Sequence, residues 1–279
     1  MMKIVPAASL ALLMAGVAAP ALAQSSPDWS GPYIGIYGGV IDSNEEAGER
    51  LIFDRDFDGA FDDTVVTTTG ADAFSPGSCD GAANNQLAAG GCNKDDRGPE
   101  GGVRLGYDFQ FGGLVAGVVG EWSAVNLNDT VTSFSTTPAN YVFGREVDSI
   151  AAIRARMGVA AGSGLYYVTA GAAQADVTNT FRTTNGANSF TVTQNEDKAD
   201  GFQLGAGVEW RLAPGLSLTG EYMYTDLQAD DYIIRVGNTG ATPATNPFIL
   251  PPNTAGTDMT RSNGNMEMHA LRIGMNLRF

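Results

Sequence analysis

Residues 53–63 read FDRDFDGAFDD. Asp54, Asp56 and Asp58 alternate and Gly59 follows at once. This is how a twelve-residue calcium loop opens, with oxygen ligands at positions 1, 3, 5, 7, 9 and 12 and glycine at position 6. Asp62 falls at position 9. Position 12 is Val65 rather than the bidentate glutamate, and no amphipathic helix enters or leaves, so an EF-hand is excluded. Three readings stay open. The stretch is a loose calcium site on Asp54, Asp56, Asp58 and Asp62, a solvated acidic turn, or a hairpin in which Leu51-Ile52-Phe53 pairs with Thr64–Thr67 across Asp58-Gly59. No other cofactor is expected.

Two further sets of residues could do chemistry. Nucleophilic catalysis needs a base within reach of the nucleophile. The single histidine, His269, falls on the apolar parity of an alternating segment near the outer edge, so an interfacial residue is expected there and no enzyme. Cys79 and Cys92 are not spaced as Cys-x-x-Cys, and two thiols far in sequence from the only histidine fall short of a zinc set. In an exported chain they are expected to form one disulfide closing a small loop.

Export itself is written at the start. Lys3 is followed by an apolar run from Ile4 to Ala19, broken by Pro6, and then by Ala21-Leu22-Ala23. That is a secretory signal peptide over residues 1–23, cut before Gln24, with 24–279 as one mature domain. Sixteen Lys and Arg stand against 31 Asp and Glu, a net charge of −15, which leaves no basic stripe for nucleic acid. Beyond Ala23 no run of 18 apolar residues occurs, so a membrane would have to be crossed by strands.

The elements that position these residues are strands. Eight segments alternate with period two. Val103, Leu105, Tyr107, Phe109 and Phe111 share one face against Arg104, Gly106, Asp108 and Gln110. Phe202, Leu204, Ala206, Val208 and Trp210 stand against Gln203, Gly205, Gly207, Glu209 and Arg211. The last segment, Asn265–Phe279, sets Leu271, Ile273, Met275, Leu277 and Phe279 against Arg272, Gly274, Asn276 and Arg278. The others begin near Tyr33, Leu114, Val147, Leu165 and Leu216; the phase of the one at Leu165 is ambiguous. About ten residues is the length of a tilted strand crossing a bilayer. One face is aliphatic and aromatic, as for lipid; the other carries Gly, Arg, Glu and Gln, as for a narrow interior. A soluble, secreted β-protein is the architectural alternative.

Connectors alternate short and long. Residues 111–113, 161–164 and 213–215 are tight, while 41–101, 127–146, 178–200 and 228–264 are long. The expected fold is all-β: an eight-stranded antiparallel up-and-down transmembrane β-barrel with long extracellular loops and short periplasmic turns. Residues 41–101 form the first loop, and Trp29 and Tyr33 are placed at the inner interface. Glu121, Glu209 and Glu221 then point inward with Arg104, Arg154, Arg156, Arg211, Arg272 and Arg278. Glu121 is expected between Arg104 and the Arg154/Arg156 pair, and Glu221 between Arg272 and the strand of Arg211. Such charges either plug the lumen as ion pairs or line a narrow path for ions or small solutes.

Trp29-Ser-Gly-Pro-Tyr-Ile-Gly resembles the first strand of the outer-membrane protein A-like family of small barrels, and Arg272-Ile-Gly-Met-Asn-Leu-Arg-Phe279 resembles their last. Arg154-x-Arg156-x-Gly158 and Gly220-Glu221-Tyr222 resemble the alphaproteobacterial porin-family surface proteins. The resemblance implies a monomer in the cell outer membrane that contacts lipid and lipopolysaccharide. Phe279 would be the signal read by the outer-membrane assembly machinery. The expected role is structural or surface-exposed, with envelope integrity, adhesion or recognition of a host or surface ligand through the loops. No peptidoglycan-binding segment is expected after the barrel, so the resemblance carries no expectation of a link to the cell wall.

Overall fold

The computed structural model describes residues 28–43, 48–229, 231–251 and 254–279; the leader expected over 1–23 lies outside the described residues. The strands, in chain order, are β1 (Gly31–Ser43), β2 (Leu51–Asp54), β3 (Gly77–Asp80), β4 (Ala82–Ala83), β5 (Cys92–Asn93), β6 (Gly98–Phe111), β7 (Leu114–Ser135) and β8 (Ala139–Ala161). They continue as β9 (Gly164–Thr183), β10 (Asn188–Asn195), β11 (Lys198–Ala213), β12 (Leu216–Ala229), β13 (Tyr232–Asn238), β14 (Thr257–Arg261) and β15 (Asn265–Arg278).

Eight of them close a ring. β1 pairs with β6, β6 with β7, β7 with β8, β8 with β9, β9 with β11, β11 with β12 and β12 with β15, all antiparallel. β15 returns to β1, with Tyr33 opposite Arg278 and Ile41 opposite Ala270. Closure leaves no unpaired edge within the ring, which is what a sheet in lipid requires. At one end the three tight turns each carry a glycine at positive φ: Gly112 (63°), Gly162 (56°) and Gly215 (77°). A side chain is strained in that backbone region.

The outward face is apolar and bare. Ile273 is 69% exposed, Met157 67% and Leu105 63%. A continuous band of such residues in water would be an aggregation site; around a closed barrel it is a lipid-facing belt. Aromatics mark both margins, with Phe111, Tyr166, Trp210 and Phe279 toward the turns and Trp122, Phe202 and Tyr222 toward the far end. Past that far margin the outward positions turn acidic at Asp148, Asp176 and Asp200. The ambiguous segment at Leu165 resolves with Leu165, Tyr167 and Thr169 inward and Tyr166, Val168 and Ala170 outward.

Two expectations need correction. β7, β8 and β9 are 22, 23 and 20 residues long, not about ten. Residues 127–146 and 178–200, expected as loops, are largely strand. The pairing register shifts between Ala124 and Leu127 and again between Val147 and Ser149, so the side-chain phase slips. Beyond the slip every residue from Thr130 to Phe134 and from Ala139 to Phe143 is buried, so period-two contrast vanishes.

Both faces are buried there because a second sheet packs on. It has the order β10-β13-β14-β2. Its aromatic and aliphatic residues meet the outer parts of β8 and β9. Phe143 touches Tyr232 with ring centroids 5.7 Å apart, Phe181 touches Phe190 at 5.3 Å, and Tyr141 touches Phe190 at 6.4 Å. Val131, Ile234, Val236 and Met259 complete this core. Residues 41–101 therefore do not form one open loop. They give β2 to the second sheet and β3 to the edge of β7, and Cys79 and Cys92 are joined by a disulfide.

The result is a barrel bearing a two-layer β-sandwich on its loop end. Phe143→Ala removes a fully buried ring and should cost about 3–5 kcal/mol. Because the barrel ring closes below it, proteolysis of the variant should cut the sandwich while the barrel keeps its heat-modifiable gel mobility. Loss of both together would contradict this division.

The charged lumen as candidate functional site

Inside the barrel, small and flat residues make room for long ones. Tyr33, Tyr37 and Tyr167 lie over glycines of neighbouring strands: Gly106, Gly102 and Gly207 respectively. A Cβ on Gly106 would come within 2.3 Å of the Tyr33 ring, so glycine is required there. The flattened rings in turn carry guanidinium groups on their faces. Arg156 sits 3.8 Å from the Tyr167 centroid, Arg104 4.6 Å from Tyr37 and Arg278 4.7 Å from Tyr33.

Five arginines and five carboxylates interlock at this level, all nine-tenths buried or more. Arg154 forks onto Glu121 at 2.6 and 2.7 Å and also donates to Thr169 and Gln203. Arg272 bridges Glu100, at 2.5 and 2.8 Å, to Glu121, at 2.6 Å. Arg104 pairs with Glu221, which also accepts from Tyr167 Oη at 2.7 Å. Arg156 joins Glu209 at 2.5 Å to Asp108 at 3.1 Å, and Arg278 reaches Asp108 at 2.8 Å. Ser217 donates to Glu209 at 2.5 Å. The layer is charge-neutral, and the carboxylates have bonded partners, the condition under which buried charge is tolerable.

Several partners differ from the sequence expectation. Glu121 takes Arg272 rather than Arg104 or Arg156 beside its bond to Arg154. Glu221 takes Arg104 rather than Arg272. Arg104 and Glu121 are cross-strand neighbours, as are Glu221 and Arg272. Each arginine nevertheless reaches past β1 to the other carboxylate, both lying over the inward Tyr37 ring, 4.6 and 5.0 Å from its centroid, while Gly35 leaves room for the Arg104 stem. Arg211 is outside the network. It lies at the turn end over Trp29, 4.5 Å from the ring, and donates to Asp28 O at 2.7 Å. Trp29 and Tyr33 are not at the lipid interface either; both are buried inside, 0% and 1% exposed. Glu100 and Asp108 were missed as network members. Asp108 lay on the inward parity; Glu100, between Pro99 and Gly101, carries no alternation signal.

Apolar layers cover the charged one on both sides. Toward the turns lie Trp29, Val115, Ala160 and Leu165. Toward the sandwich lie Ile41, Leu127, Val147, Met223, Leu227, Met266 and Met268. Above these, at the collar, Arg261 holds Glu49 at 2.6 and 2.7 Å and Asp129 at 2.9 Å. Burial, reinforced by the neighbouring Arg261 charge, brings Arg145 down to about 10. Arg145 donates to Asn263 O at 2.8 Å and so ties the barrel wall to the chain leaving β14.

The remaining candidates lie elsewhere. The carboxylates of Asp54, Asp56 and Asp58 converge within 4.8 Å of one another, and Asp62 is not among them. Asp54 accepts from Phe57 N at 2.6 Å and Gly59 N at 2.9 Å, and Asp58 from Ala60 N at 2.8 Å, so the group ties its own turn. The hairpin reading is corrected: β2 pairs with β14, and across Asp58-Gly59 the pairing is the single bridge Phe53–Asp63. His269 faces outward, its Nδ1 2.6 Å from Tyr222 Oη. Phe279 ends the ring, 71% exposed, and donates from N to Pro32 O at 3.0 Å.

A closed antiparallel ring with an apolar belt outside and paired charges inside defines an outer-membrane β-barrel. The chain belongs to the outer membrane protein beta-barrel domain family, whose model matches residues 9–279. Over 201 residues it is 26% identical to the 31 kDa outer-membrane immunogenic protein of Brucella melitensis biotype 1, covering 70% of this chain and 72% of that one. The protein of that name from Brucella suis biovar 1 matches to the same extent. Among solved structures, the outer membrane protein OprG from Pseudomonas aeruginosa aligns at 12% identity and TM-score 0.48, covering 90% of this chain and 97% of that one. The protein resides in the outer membrane.

The network gives a direct test. Arg104→Met strands Glu221 and Glu221→Leu strands Arg104, and each should cost about 3–5 kcal/mol. The double variant leaves neither charge alone and should recover most of that loss. Urea unfolding in lipid, followed by gel mobility, measures all three. Additive losses would contradict a direct pair.

Proposed function

We propose that this protein is a non-conducting surface barrel whose working part is the folded sandwich it holds outside the membrane. The observation that carries this reading is the neutral layer of five arginines and five carboxylates covered on both sides by apolar side chains. An ion passing through would have to break buried pairs and cross two dry layers, each step costing several kcal/mol. An eight-stranded barrel has interior space for side chains and little more. The lumen then stiffens the wall, and the role is envelope integrity together with adhesion or recognition by the sandwich. The Brucella relatives are called immunogenic, which suits a protein whose largest exposed part stands outside the cell. Lipopolysaccharide would surround the belt, Phe279 would address the chain to the assembly machinery, and the barrel would work as a monomer.

One observation favours a narrow ion path instead. Arg104, Glu121, Glu221 and Arg272 each stand beside one opposite charge on the adjacent strand and bond to another further off. Exchange to the lateral partners would draw these bonds back to the wall. Planar-bilayer recording on the purified protein separates the readings. Silence at moderate voltage is expected. Steady unitary openings that disappear in Arg104→Met would establish the path and end the sealed reading.

A further inference from the structure

The external sandwich ends sideways on β10. β13 takes one side of this strand, and among the described residues no strand pairs with the other. Other margins of the sandwich are guarded. On β2, Leu51 N donates to Ser133 Oγ at 3.1 Å and Phe53 bridges Asp63. On the outer part of β9, Val177 N donates to Asp197 O at 2.9 Å, Asn179 Nδ2 donates to Glu196 O at 2.7 Å, and Arg182 stands exposed.

β10 lacks the usual guards. Exposed strand edges are ordinarily blunted by lysine, proline or an inward charge. Asn188-Ser-Phe-Thr-Val-Thr-Gln-Asn195 contains no charged residue and no proline, in a chain with 31 acidic residues. Its centre, Thr191-Val192-Thr193, is β-branched and favours extended backbone. Phe190 anchors the strand to the core against Phe181 and Tyr141. Thr191–Asn195 are exposed on both faces, Val192 by 51%. The register against β13 shifts between Val192 and Gln194. That bends the edge, so a long flat strand cannot follow it and a short flexible one can.

These properties select the occupant. Main-chain N–H and C=O groups along an open edge recruit an extended segment, whose own backbone supplies the bonds. A second copy would bring another net charge of −15 and the same bend, so self-pairing is opposed. The two ends of the edge differ in charge. Glu196, Asp197 and Asp231 stand exposed beyond Asn195, at the collar, whereas the turn 184–187 before Asn188 is uncharged. Glu196 N donates to Asp231 O at 3.4 Å, which keeps these acids together. Antiparallel pairing, the more stable arrangement, sets the amino end of an added strand at the collar. We propose that β10 binds an extended peptide segment of another protein by strand addition, its basic amino-terminal end toward the collar and neutral β-branched residues beside Thr191–Thr193. This deepens the surface-recognition reading above and rests on it.

Hydrogen exchange read by mass spectrometry, on the full chain in phosphocholine micelles, tests the proposal. The probe is the capped peptide Lys-Lys-Thr-Val-Thr-Val-Thr-Val. Its controls are the reverse order and the same peptide N-methylated on every Thr and Val. The probe should slow exchange across 189–195 at least about tenfold. The reversed peptide, whose lysines fall at the tip, should bind roughly fivefold more weakly, and the N-methylated peptide should not bind. Val192→Lys gives an exposed position the guard that native edges carry and should weaken binding about tenfold. Unchanged exchange across 189–195, equal binding of either control peptide, or undiminished binding in Val192→Lys would each overturn strand addition in this orientation. Protection that appears without peptide and grows with protein concentration would overturn it by assigning the edge to a second copy. Bilayer recording on the same sample keeps the two readings apart. Silence with no peptide binding removes only the edge, whereas steady channels remove the sealed barrel whatever β10 binds.

Discussion

Ten charged side chains point into a ring too narrow to hydrate them, and the rest of the barrel follows from the need to pair them. Leaving one buried ion uncompensated costs several kcal/mol, a large share of the 5–15 kcal/mol that holds a typical domain together. The solution is stoichiometric, with five guanidinium groups and five carboxylates. Length is the second requirement. Arginines must cross the lumen to reach their partners, so β1 presents Gly35 where the Arg104 stem passes, and Tyr33, Tyr37 and Tyr167 lie flat over glycines and carry guanidinium groups on their faces. Glycine on these inner faces is a packing requirement rather than a flexible joint.

The apolar layers extend the same logic. Charges paired at low dielectric are held tightly only if water stays out. Trp29 and Leu165 cover the layer from the turn side, and Met223, Met266 and Met268 cover it from the other. The collar pairs of Arg261 with Glu49 and Asp129 then join this filled barrel to the sandwich above. Because β7, β8 and β9 run unbroken from the belt into the sandwich, the external part is set rigidly on the membrane-embedded part.

Much of this was legible in the sequence. Strict alternation from Val103 to Phe111 and from Leu271 to Phe279 marked lipid-facing and inward sides, and the short turns gave the topology. Alternation depends on two faces meeting different surroundings, which is why it failed from Thr130 to Phe134 and from Ala139 to Phe143, where both faces are buried. It failed again at Glu100, whose glycine and proline neighbours have no side chains to alternate with. The inward arginines could be named, but not their partners. Sequence register shows which residues are adjacent, and the bonds here go instead to residues across the lumen. Trp29 and Tyr33 were misplaced for a related reason: an aromatic near a strand end reads as an interfacial anchor, and only the cationic groups waiting inside make the lumen its better surroundings.

The sealed lumen is tested most directly by chemical access to Ser123, an inward residue beside the charged layer and 1% exposed. In Ser123→Cys, with Thr136→Cys at the outer tip as the accessible control, a small cationic thiol reagent should modify the tip within minutes. It should leave position 123 unmodified in folded protein from either side of a lipid vesicle, and modify it fully after unfolding. Modification of position 123 in the folded barrel at a rate near that of the tip would contradict a lumen closed by paired charges and dry layers.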